Sequence, residues 1–368
     1  MKKIFFFFIV FLSSINAQVN YPPVRGVWLT NVDSRALFSK QNIIETINTC
    51  ENAGINTIFV VVWNKAMTIY PSKIMNKMFG ESIDPIFAGR DPLKEIIEEA
   101  HKKDIKVIAW FEFGFSSSYQ LDGGRLLKLH PDWASQDNSG KLVQKNGFEW
   151  MNGFRSDVQD FMLSLLMEVV NNYDVDGIQG DDRLPAMPVE SGYDKYTVAL
   201  YKKEHKGENP PKNFKDTSWV NWRAGQMTKF MARIYKTVKS AKKNVIVSMS
   251  PSIFPWGRDE YLQDWPSWVE KGYVDMICPQ LYRYDIKGYI DLLNNIVNRQ
   301  ISKENLKKFF PGILLKLGDY DADKEYLSQI ISENRKRGVQ GEVYFFYEGI
   351  KKSQEFFRSK YLQDRADK

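Results

Sequence analysis

Residues 55–63 read INTIFVVVW, a continuous run of mainly β-branched and aromatic side chains. Such an unbroken run is typical of a strand that is buried on both faces of a parallel sheet. Residues 41–53, which come just before it, have the apolar spacing of an amphipathic helix, and Gly54 supplies a stop signal. The same strand pattern predicts seven further strands, at residues 24–29, 106–112, 175–179, 244–249, 274–278, 309–315 and 342–346.

Helix patterns separate these strands with strict regularity. The further helices are predicted at residues 92–103, 157–173, 219–242, 259–271, 286–298, 323–337 and 350–361. Eight strands that alternate with eight helices predict an α/β fold, a single (β/α)8 TIM barrel. The alternative is an open doubly wound sheet. It usually carries a glycine-rich phosphate loop after its first strand, whereas here Leu29 is followed by TNVDS.

Three of the predicted connections are long, and all three follow strands. They are the segments after the second, third and fourth strands, at residues 64–90, 113–155 and 180–218. Segments that follow strands form the C-terminal face of a barrel, where active sites lie. We therefore expect the functional residues at this face.

The N-terminus has the three-part layout of a secretory signal peptide. Lys2 and Lys3 precede an apolar run from Ile4 to Leu12, and small or polar residues follow as far as Ala17. A membrane anchor is the alternative, but this run is much shorter than the roughly 20 residues that a spanning helix needs. The sequence thus predicts a signal peptide at residues 1–17 and one barrel domain at 18–368. We expect a secreted or periplasmic protein without a transmembrane segment.

Charge and cysteine content exclude several classes of function. The net charge is +6, and the basic residues are spread along the chain, so nucleic-acid binding is not indicated. Only three histidines are present and no CxxC spacing exists, so we expect no metal site. An exported protein could pair its two cysteines. Cys50 and Cys278 fall in a predicted helix and a predicted strand, and this placement favours two buried, unpaired thiols.

Carboxylates, amides and aromatic residues follow the predicted strands and converge on one face, and this set suits sugar hydroxyl groups and the cleavage of glycosidic bonds. Glycoside hydrolysis needs two carboxyl groups beside the scissile bond, so the carboxylates are the candidate catalytic groups. Asp181 and Asp182 directly follow the fourth strand, where Gly180 permits a tight turn. One of them can face the cleft while the other orients Arg183. Their alternative role is to cap a loop.

Glu112 ends an otherwise apolar strand between Trp110 and Phe113. Loss of solvation there raises the pKa of a carboxyl group, which suits a general acid. A buried, salt-bridged structural acid is the alternative. Glu348, after the eighth strand, is the third catalytic candidate, and Asp33 follows it.

Substrate-binding residues are predicted at the same strand ends. Aromatic rings can stack on the apolar faces of sugars, although aromatic residues also fill cores. The predicted stacking platforms are Trp28, Trp63, Trp256 and Tyr282. The predicted polar contacts are Asn31 and Asp33, together with Asn64, Arg183, Gln280 and Lys316, which are expected to bind hydroxyl groups or an acidic substituent.

Several of these strand ends carry motifs of a known family. The motifs are RGVWLT at 25–30, YPS at 70–72, HPDW at 130–133, YDVDGIQGDDR at 173–183, SMSPSIFPW at 248–256 and VDMICPQLYRYD at 274–285. They occur in order over about residues 22–350 and resemble the glycosyl-hydrolase-like family 10 domain. This resemblance implies a (β/α)8 barrel with glycoside hydrolase activity. It also implies action on peptidoglycan glycan strands that lack peptides, as some periplasmic members show.

The resemblance places the family's paired aspartates on Asp181 and Asp182, and its PQLY motif on residues 279–282. Trp63 and Arg183 depart from the family pattern, in which an arginine and an aromatic residue are usual. Barrel glycosidases of the related large clan usually have a glutamate after the seventh strand, but residues 313–319 read ILLKLGD.

We therefore predict an exported glycoside hydrolase that cleaves a carbohydrate polymer by carboxylate acid/base catalysis and needs no cofactor. A barrel that binds glycan without cleaving it is the first alternative, and the missing glutamate favours it. A deacetylase or another cell-wall hydrolase is the second alternative. The few histidines and the absence of a GxSxG motif argue against it.

Overall fold

The computed structural model describes residues 23–366, with side chains described as far as Tyr361. The predicted signal peptide at residues 1–17 lies outside the described residues. Within residues 23–366, no helix combines the length and the apolar character needed to cross a membrane.

Eight parallel strands form one sheet around the core. They are β1 (Val24–Leu29), β2 (Thr57–Val61), β3 (Lys106–Phe111), β4 (Gly177–Gly180), β5 (Ile246–Met249), β6 (Met276–Ile277), β7 (Gly312–Leu314) and β8 (Gly341–Phe345). Their order across the sheet is β6-β5-β4-β3-β2-β1-β8-β7. The strands from β1 to β6 thus lie side by side in sequence order, β7 lies beside β8, and β8 pairs with β1.

The sheet curls until its two end strands meet. The backbone N–H of Phe310 donates to the carbonyl of Ile277 over 2.9 Å, and that of Gly312 donates to Pro279 over 2.8 Å. These bonds connect the β6 side of the sheet to the β7 side, with parallel bridges at both places. The predicted α/β fold with eight parallel strands is confirmed.

Helices alternate with the strands along the chain. They are α1 (Lys40–Asn52), α2 (Lys73–Phe79), α3 (Pro92–His101), α4 (Gly124–Leu129), α5 (Ser156–Asn172), α6 (Lys195–Glu204), α7 (Thr217–Ala241), α8 (Trp256–Tyr261), α9 (Trp265–Glu270), α10 (Ile286–Asn295), α11 (Lys324–Lys336), α12 (Tyr347–Lys352) and α13 (Gln354–Ala366). Local sequence explains their starts. At α3, for example, the Asp91 side chain accepts a hydrogen bond from the Lys94 N–H over 3.0 Å, and Pro92 takes the first helical position.

Two predicted helices are each divided in the structure. The single helix expected at 259–271 is wrong, because Leu262 adopts a left-handed φ of 60° that ends α8, and Pro266 lies in the first turn of α9. The break brings Gln263 inward, and its side chain is fully buried. The helix expected at 350–361 is also interrupted, at Ser353.

The segments after β2, β3 and β4 contain small elements of their own. These elements are the hairpin Trp63–Asn64/Met67–Thr68 with α2, the three-stranded sheet Ser116–Tyr119/Phe148–Trp150/Gln144–Lys145 with α4, and α6. All of them follow the carboxyl ends of strands, the end at which the candidate site lies.

Polar and sulfur-containing side chains are also buried in the interior. Trp28 donates from Nε1 to Oε1 of Gln179 over 2.7 Å, and Gln179 donates onward to Oγ of Ser248 over 2.9 Å. Cys50 and Cys278 are both buried and unpaired. The prediction of two free thiols is therefore confirmed.

Candidate active site

A cleft of about 320 Å³ opens at the carboxyl ends of β8, β1, β2 and β3. Its lining combines aromatic and polar residues: Thr30, Val32, Asp33, Asn64, Lys65, Glu112, Phe113, Tyr119, Phe148, Leu317, Gly318, Phe345 and Phe346. Asp33, Lys65 and Glu112 are the charged residues of this lining. Apolar surfaces with a few polar groups suit the faces and hydroxyl groups of sugars.

Arg183 connects the two strand ends that carry the candidate catalytic acids. Its Nη2 lies 3.2 Å from Oδ2 of Asp181, and its Nη1 lies 3.1 Å from Oδ1 of Asp182. Its Nε donates to the backbone carbonyl of Glu112 over 2.9 Å. The guanidinium also lies over the ring of Phe148, 4.6 Å from its centroid. One cation thus holds the ends of β3 and β4 together.

The two adjacent aspartates have different surroundings. The side chain of Asp181 is 2% exposed, whereas that of Asp182 is 26% exposed. Burial raises the pKa of Asp181 well above its ordinary value, and the charge of Asp182 adds to this rise, while Arg183 opposes it. Gln263 fixes this turn by donating from Nε2 to the Asp181 carbonyl over 2.7 Å. Asp181 therefore positions Arg183, and Asp182 is the aspartate that solvent reaches.

Glu112 lies in the cleft lining with a partly exposed side chain. Burial raises its pKa, and the charge of Asp182 raises it further. Arg183 and a hydrogen bond donated by Nδ2 of Asn64 oppose this rise. The pKa of Glu112 is therefore raised, as its apolar sequence neighbours predict, and the protonated form is favoured at higher pH than in an ordinary glutamate.

Two glycines allow the strand ends to approach this closely. A Cβ on Gly180 would lie 2.3 Å from the Leu184 carbonyl oxygen. A Cβ on Gly114, which has a φ of 49°, would lie 2.0 Å from the carbonyl oxygen of Arg183. The prediction that Gly180 permits a tight turn is confirmed, because that turn has no room for a side chain.

Gly114→Ala is expected to lower the free energy of unfolding by at least about 2 kcal/mol, because a left-handed conformation and a backbone clash both penalise the new methyl group. Gly140→Ala is the matched control. Gly140 also has a positive φ, of 80°, but nothing lies within 4 Å of an added Cβ. Urea unfolding of both variants measures the difference. If the two substitutions lower the free energy of unfolding equally, the clash of the new methyl group with the Arg183 carbonyl oxygen contributes nothing.

Comparisons with known proteins identify the family of this chain. Residues 23–320 match the sequence model of the family described as glycosyl hydrolase-like 10. The chain belongs to this family. The resemblance seen in the sequence motifs is thereby confirmed.

Relatives of this glycosyl hydrolase-like chain include the glycosyl hydrolase DigH of Escherichia coli (strain K12). It is 30% identical over 319 residues, which are 75% of this chain and 67% of the relative. The glycosyl hydrolase YngK of Bacillus subtilis (strain 168) is 24% identical over 374 residues, 90% of this chain and 69% of YngK.

Solved glycosidase structures share the fold. The glycoside hydrolase domain of PgaB (BpsB) from Bordetella bronchiseptica superposes with a TM-score of 0.67 and 12% identity, covering 92% of this chain and 98% of that domain. The α-L-fucosidase isoenzyme 2 of Paenibacillus thiaminolyticus gives a TM-score of 0.66 and 17% identity, covering 94% of this chain and 49% of the fucosidase.

Two of the four predicted stacking platforms of this glycosyl hydrolase-like chain are buried. Trp28 is 1% exposed and Trp63 is fully buried, with its Nε1 donating to the Gly114 carbonyl over 3.0 Å. Neither ring has a free face, so the prediction that they stack on sugars is wrong. Trp28 points into the interior, where it donates to Gln179, and Trp63 is part of the hairpin after β2.

The other two predicted platforms lie near the aspartates. Trp256 is 47% exposed and contacts Tyr261, with ring centroids 5.4 Å apart. Burial, together with the charge of Asp182, raises the pKa of Tyr261 to about 12. Tyr282 is half-buried and contacts Phe345, a residue of the cleft lining, over 5.8 Å. Both rings stay candidates for contacts with a glycan.

Two of the predicted polar contacts lie on the segment after β1. Asp33 lines the cleft and is exposed, with a left-handed φ of 55°. Asn31 has a buried Oδ1 without a hydrogen-bond donor. Both therefore stay candidates for contacts with a sugar.

Three other sequence candidates already have protein partners. Gln280 donates to the Ser250 carbonyl over 3.2 Å. Lys316 donates to the Gly318 carbonyl over 2.9 Å and lies 3.4 Å from Asp321. Glu348 accepts a hydrogen bond from Ser34 over 2.9 Å. Glu348, like Asp181 and Asp182, is not among the residues that line the cleft. Glu112 is the catalytic candidate that lines it, and the charge of Asp182 acts on its pKa.

The structure adds cleft residues that the sequence analysis did not select. They are Lys65, Tyr119, Phe148, Leu317 and Phe346. Two stretches rich in aromatic residues are the sequence signal for this part of the cleft. They are the long segment after β3 and the run EVYFFY at 342–347. Tyr119 and Phe148 pack edge to face at 5.1 Å and form one wall of the cleft.

Proposed function

We propose that this chain is an exported glycoside hydrolase that cleaves glycosidic bonds in a polysaccharide on a (β/α)8 barrel. One observation carries this proposal. A partly exposed aspartate, Asp182, and a cleft glutamate with a raised pKa, Glu112, follow neighbouring strands around the single guanidinium of Arg183. A carboxyl group with a raised pKa beside a second, partly exposed carboxyl group suits glycoside hydrolysis, in which one group donates a proton and the other attacks or activates water.

The two carboxyl groups have separate roles in the proposed reaction. Glu112 donates its proton to the glycosidic oxygen as the bond from that oxygen to the anomeric carbon breaks. Asp182, whose charge Arg183 stabilises, attacks the anomeric carbon directly or removes a proton from the attacking water. In both courses the water oxygen bonds to the anomeric carbon and keeps one proton as the new hydroxyl group. The other water proton passes to a carboxylate and replaces the proton that Glu112 gave to the leaving oxygen.

The substrate proposed is a carbohydrate polymer, namely peptidoglycan glycan strands that lack stem peptides. The family resemblance supports this substrate, and so does the distribution of aromatic side chains. In the described part of the chain, the strongly exposed aromatic rings are Tyr119, Trp256 and Tyr284. They lie on the segments after β3, β5 and β6, so a glycan longer than one sugar can contact several of them. The predicted signal peptide supports a secreted or periplasmic location, where such strands occur.

A barrel that binds glycan without cleaving it is the second candidate. The segment after β7 favours it, because Lys316, Leu317 and Gly318 stand where related barrel glycosidases usually have a glutamate. Glycan binding by the wild type without the release of new chain ends would support this alternative.

Release of reducing ends from a glycan panel that includes denuded peptidoglycan strands tests the proposal. We expect the wild type to release them, and an Asp181→Asn/Asp182→Asn double variant to bind the same glycan without release. If the wild type binds a glycan but releases no ends from any member of the panel, hydrolysis is contradicted.

Glu112→Gln is expected to reduce kcat/KM by about 100-fold or more and to abolish the alkaline limb of its pH profile. In the wild type, activity falls as the pH rises through the raised pKa of Glu112, because the proton donor is lost. Aryl glycosides with good leaving groups need less proton donation, so the variant should lose less activity on them. Glu348→Gln is the matched control and should keep the alkaline limb. An unchanged limb in Glu112→Gln would assign the proton donor elsewhere.

A further inference from the structure

Lys65 is the one lysine or arginine in the cleft lining, and its side chain is exposed. Among the side chains that the structure describes, those of residues 23–361, no carboxylate lies within ion-pair distance of its ammonium group, and no hydrogen bond engages that group. Lys65 is thus an unpaired cation in a cleft that also contains the carboxyl groups of Asp33 and Glu112. Among the residues that line the cleft, its ammonium group is the one best able to bind an anion.

The backbone holds Lys65 in a costly conformation at this position. Lys65 and Ala66 form the two-residue loop of the hairpin, with φ values of 49° and 57°. Loops of this kind usually take Asn-Gly or Gly-Gly, because a left-handed conformation costs about 1–2 kcal/mol for a residue with a side chain. Strained positions persist where the surroundings fix them, often at functional sites.

The surroundings do fix this hairpin against the candidate catalytic residues. Trp63 donates to the Gly114 carbonyl over 3.0 Å, and Asn64 donates from Nδ2 to Oε2 of Glu112. Lys65 directly follows Asn64, and its charge acts to lower the pKa of Glu112. The ammonium group is therefore presented next to the proposed proton donor.

The other cations near the cleft are already engaged. The guanidinium of Arg183 contacts both Asp181 and Asp182, and Lys316 is occupied by Gly318 and Asp321. Contacts with hydroxyl groups or an acidic substituent were predicted for Asn64, Arg183, Gln280 and Lys316. Because the two cations of that set are engaged, recognition of an acidic substituent falls to Lys65. The negative charge of Asp33, on the segment after β1, repels an anion from that side of the cleft. An anion is therefore favoured on the side of Lys65, after β2.

We propose that Lys65 is a specificity-determining residue that binds a carboxylate carried by a sugar next to the scissile bond. This inference rests on the proposed function and narrows its substrate class to acidic polysaccharides. Peptidoglycan strands without stem peptides belong to that class, because peptide removal leaves a free carboxylate on every second sugar. An ammonium–carboxylate contact in a partly enclosed cleft favours such a strand over its neutral derivative.

Two substrates and four proteins test the proposal. The substrates are denuded peptidoglycan strands and the same strands after their carboxylates are converted to methylamides. The proteins are the wild type, Lys65→Met, Lys65→Arg and Lys316→Met. We expect the wild type to have about tenfold lower kcat/KM on the amidated strands, which is the size of a charge-assisted hydrogen bond.

Lys65→Met should lose that preference and cleave both strands at similar low rates. Lys65→Arg and Lys316→Met should keep the preference, and the preference should weaken at high salt. If Lys65→Met still discriminates tenfold, or if the wild type cleaves both strands equally, the inference is overturned while hydrolysis stands. Thermal unfolding of each variant verifies that the proteins remain folded.

Dissociation constants for the two strands distinguish failure of the Lys65 proposal from failure of the proposed hydrolysis. If the wild type cleaves neither strand, the proposed hydrolysis fails, but Kd values for the two strands still test Lys65. A Kd preference for the acidic strand that disappears in Lys65→Met supports the carboxylate contact. Equal Kd values for the two strands, or no binding of either, overturn it.

Discussion

Asp182→Asn is expected to reduce the rate of glycosidic cleavage by about 10³-fold, while glycan binding persists. The amide keeps the size of the side chain but removes the negative charge that would attack the anomeric carbon or activate water. Asp182 has the 26% exposed side chain, so it is the aspartate that can reach substrate. The release of reducing ends at saturating substrate measures the loss, and a separate binding assay shows that substrate still binds.

Asp181→Asn is the matched control for this prediction. Its side chain is 2% exposed and contacts Arg183, so it acts by positioning and not by touching substrate. We expect it to lose much less activity than Asp182→Asn and to retain the wild-type pH profile. A variant Asp182→Asn with more than a tenth of wild-type activity would contradict the assignment.

Arg183→Met is expected to lower the free energy of unfolding at pH 7 by about 3–5 kcal/mol. The substitution leaves the buried carboxyl group of Asp181 without its cation and removes the bond from Nε to the Glu112 carbonyl. Guanidinium chloride unfolding measures the loss. The pH dependence supplies a second test. Because burial already raises the pKa of Asp181, its carboxyl group takes up a proton as the pH falls, and the penalty should shrink.

Adding Asp181→Asn to Arg183→Met removes the uncompensated charge. The double variant should therefore be more stable than Arg183→Met alone, a non-additive result that indicates direct coupling between the two side chains. Strict additivity would show that the stability of this turn does not depend on the ion pair.

The sequence predicts most of the sheet because burial on both faces leaves a clear signal. The run at residues 24–29 coincides with β1, and the strand expected at 106–112 differs from β3 by one residue. The break between α8 and α9 was missed. The apolar pattern continues through it, and the reason for the break is tertiary, since Gln263 must reach the carbonyl of Asp181.

The convergence of the acidic residues was also predictable from the sequence. Glu112, Asp181 and Asp182 follow strands, and the carboxyl ends of parallel strands lie at one face. The sequence does not predict which aspartate is exposed, because two contacts decide it. Arg183 pairs with Asp181 only through the geometry of the turn, and Gln263, which is distant in sequence, binds the Asp181 carbonyl.

Side-chain direction explains the wrong assignments of Trp28 and Trp63. Residues near a strand end alternate between the interior and the outer face, and a shift of one residue exchanges them. The sequence does not single out Lys65 for a different reason. Its position depends on a hairpin of two-residue strands, too short to leave a periodic signal.

Incubation of denuded peptidoglycan strands in H₂¹⁸O tests the central claim most directly. If the carboxyl groups of Asp182 and Glu112 catalyse hydrolysis, mass spectrometry of the wild-type products will show one ¹⁸O in each new reducing end, and Asp182→Asn will produce almost no new ends. New ends without ¹⁸O, or labelled ends formed equally well by Asp182→Asn, would contradict the account.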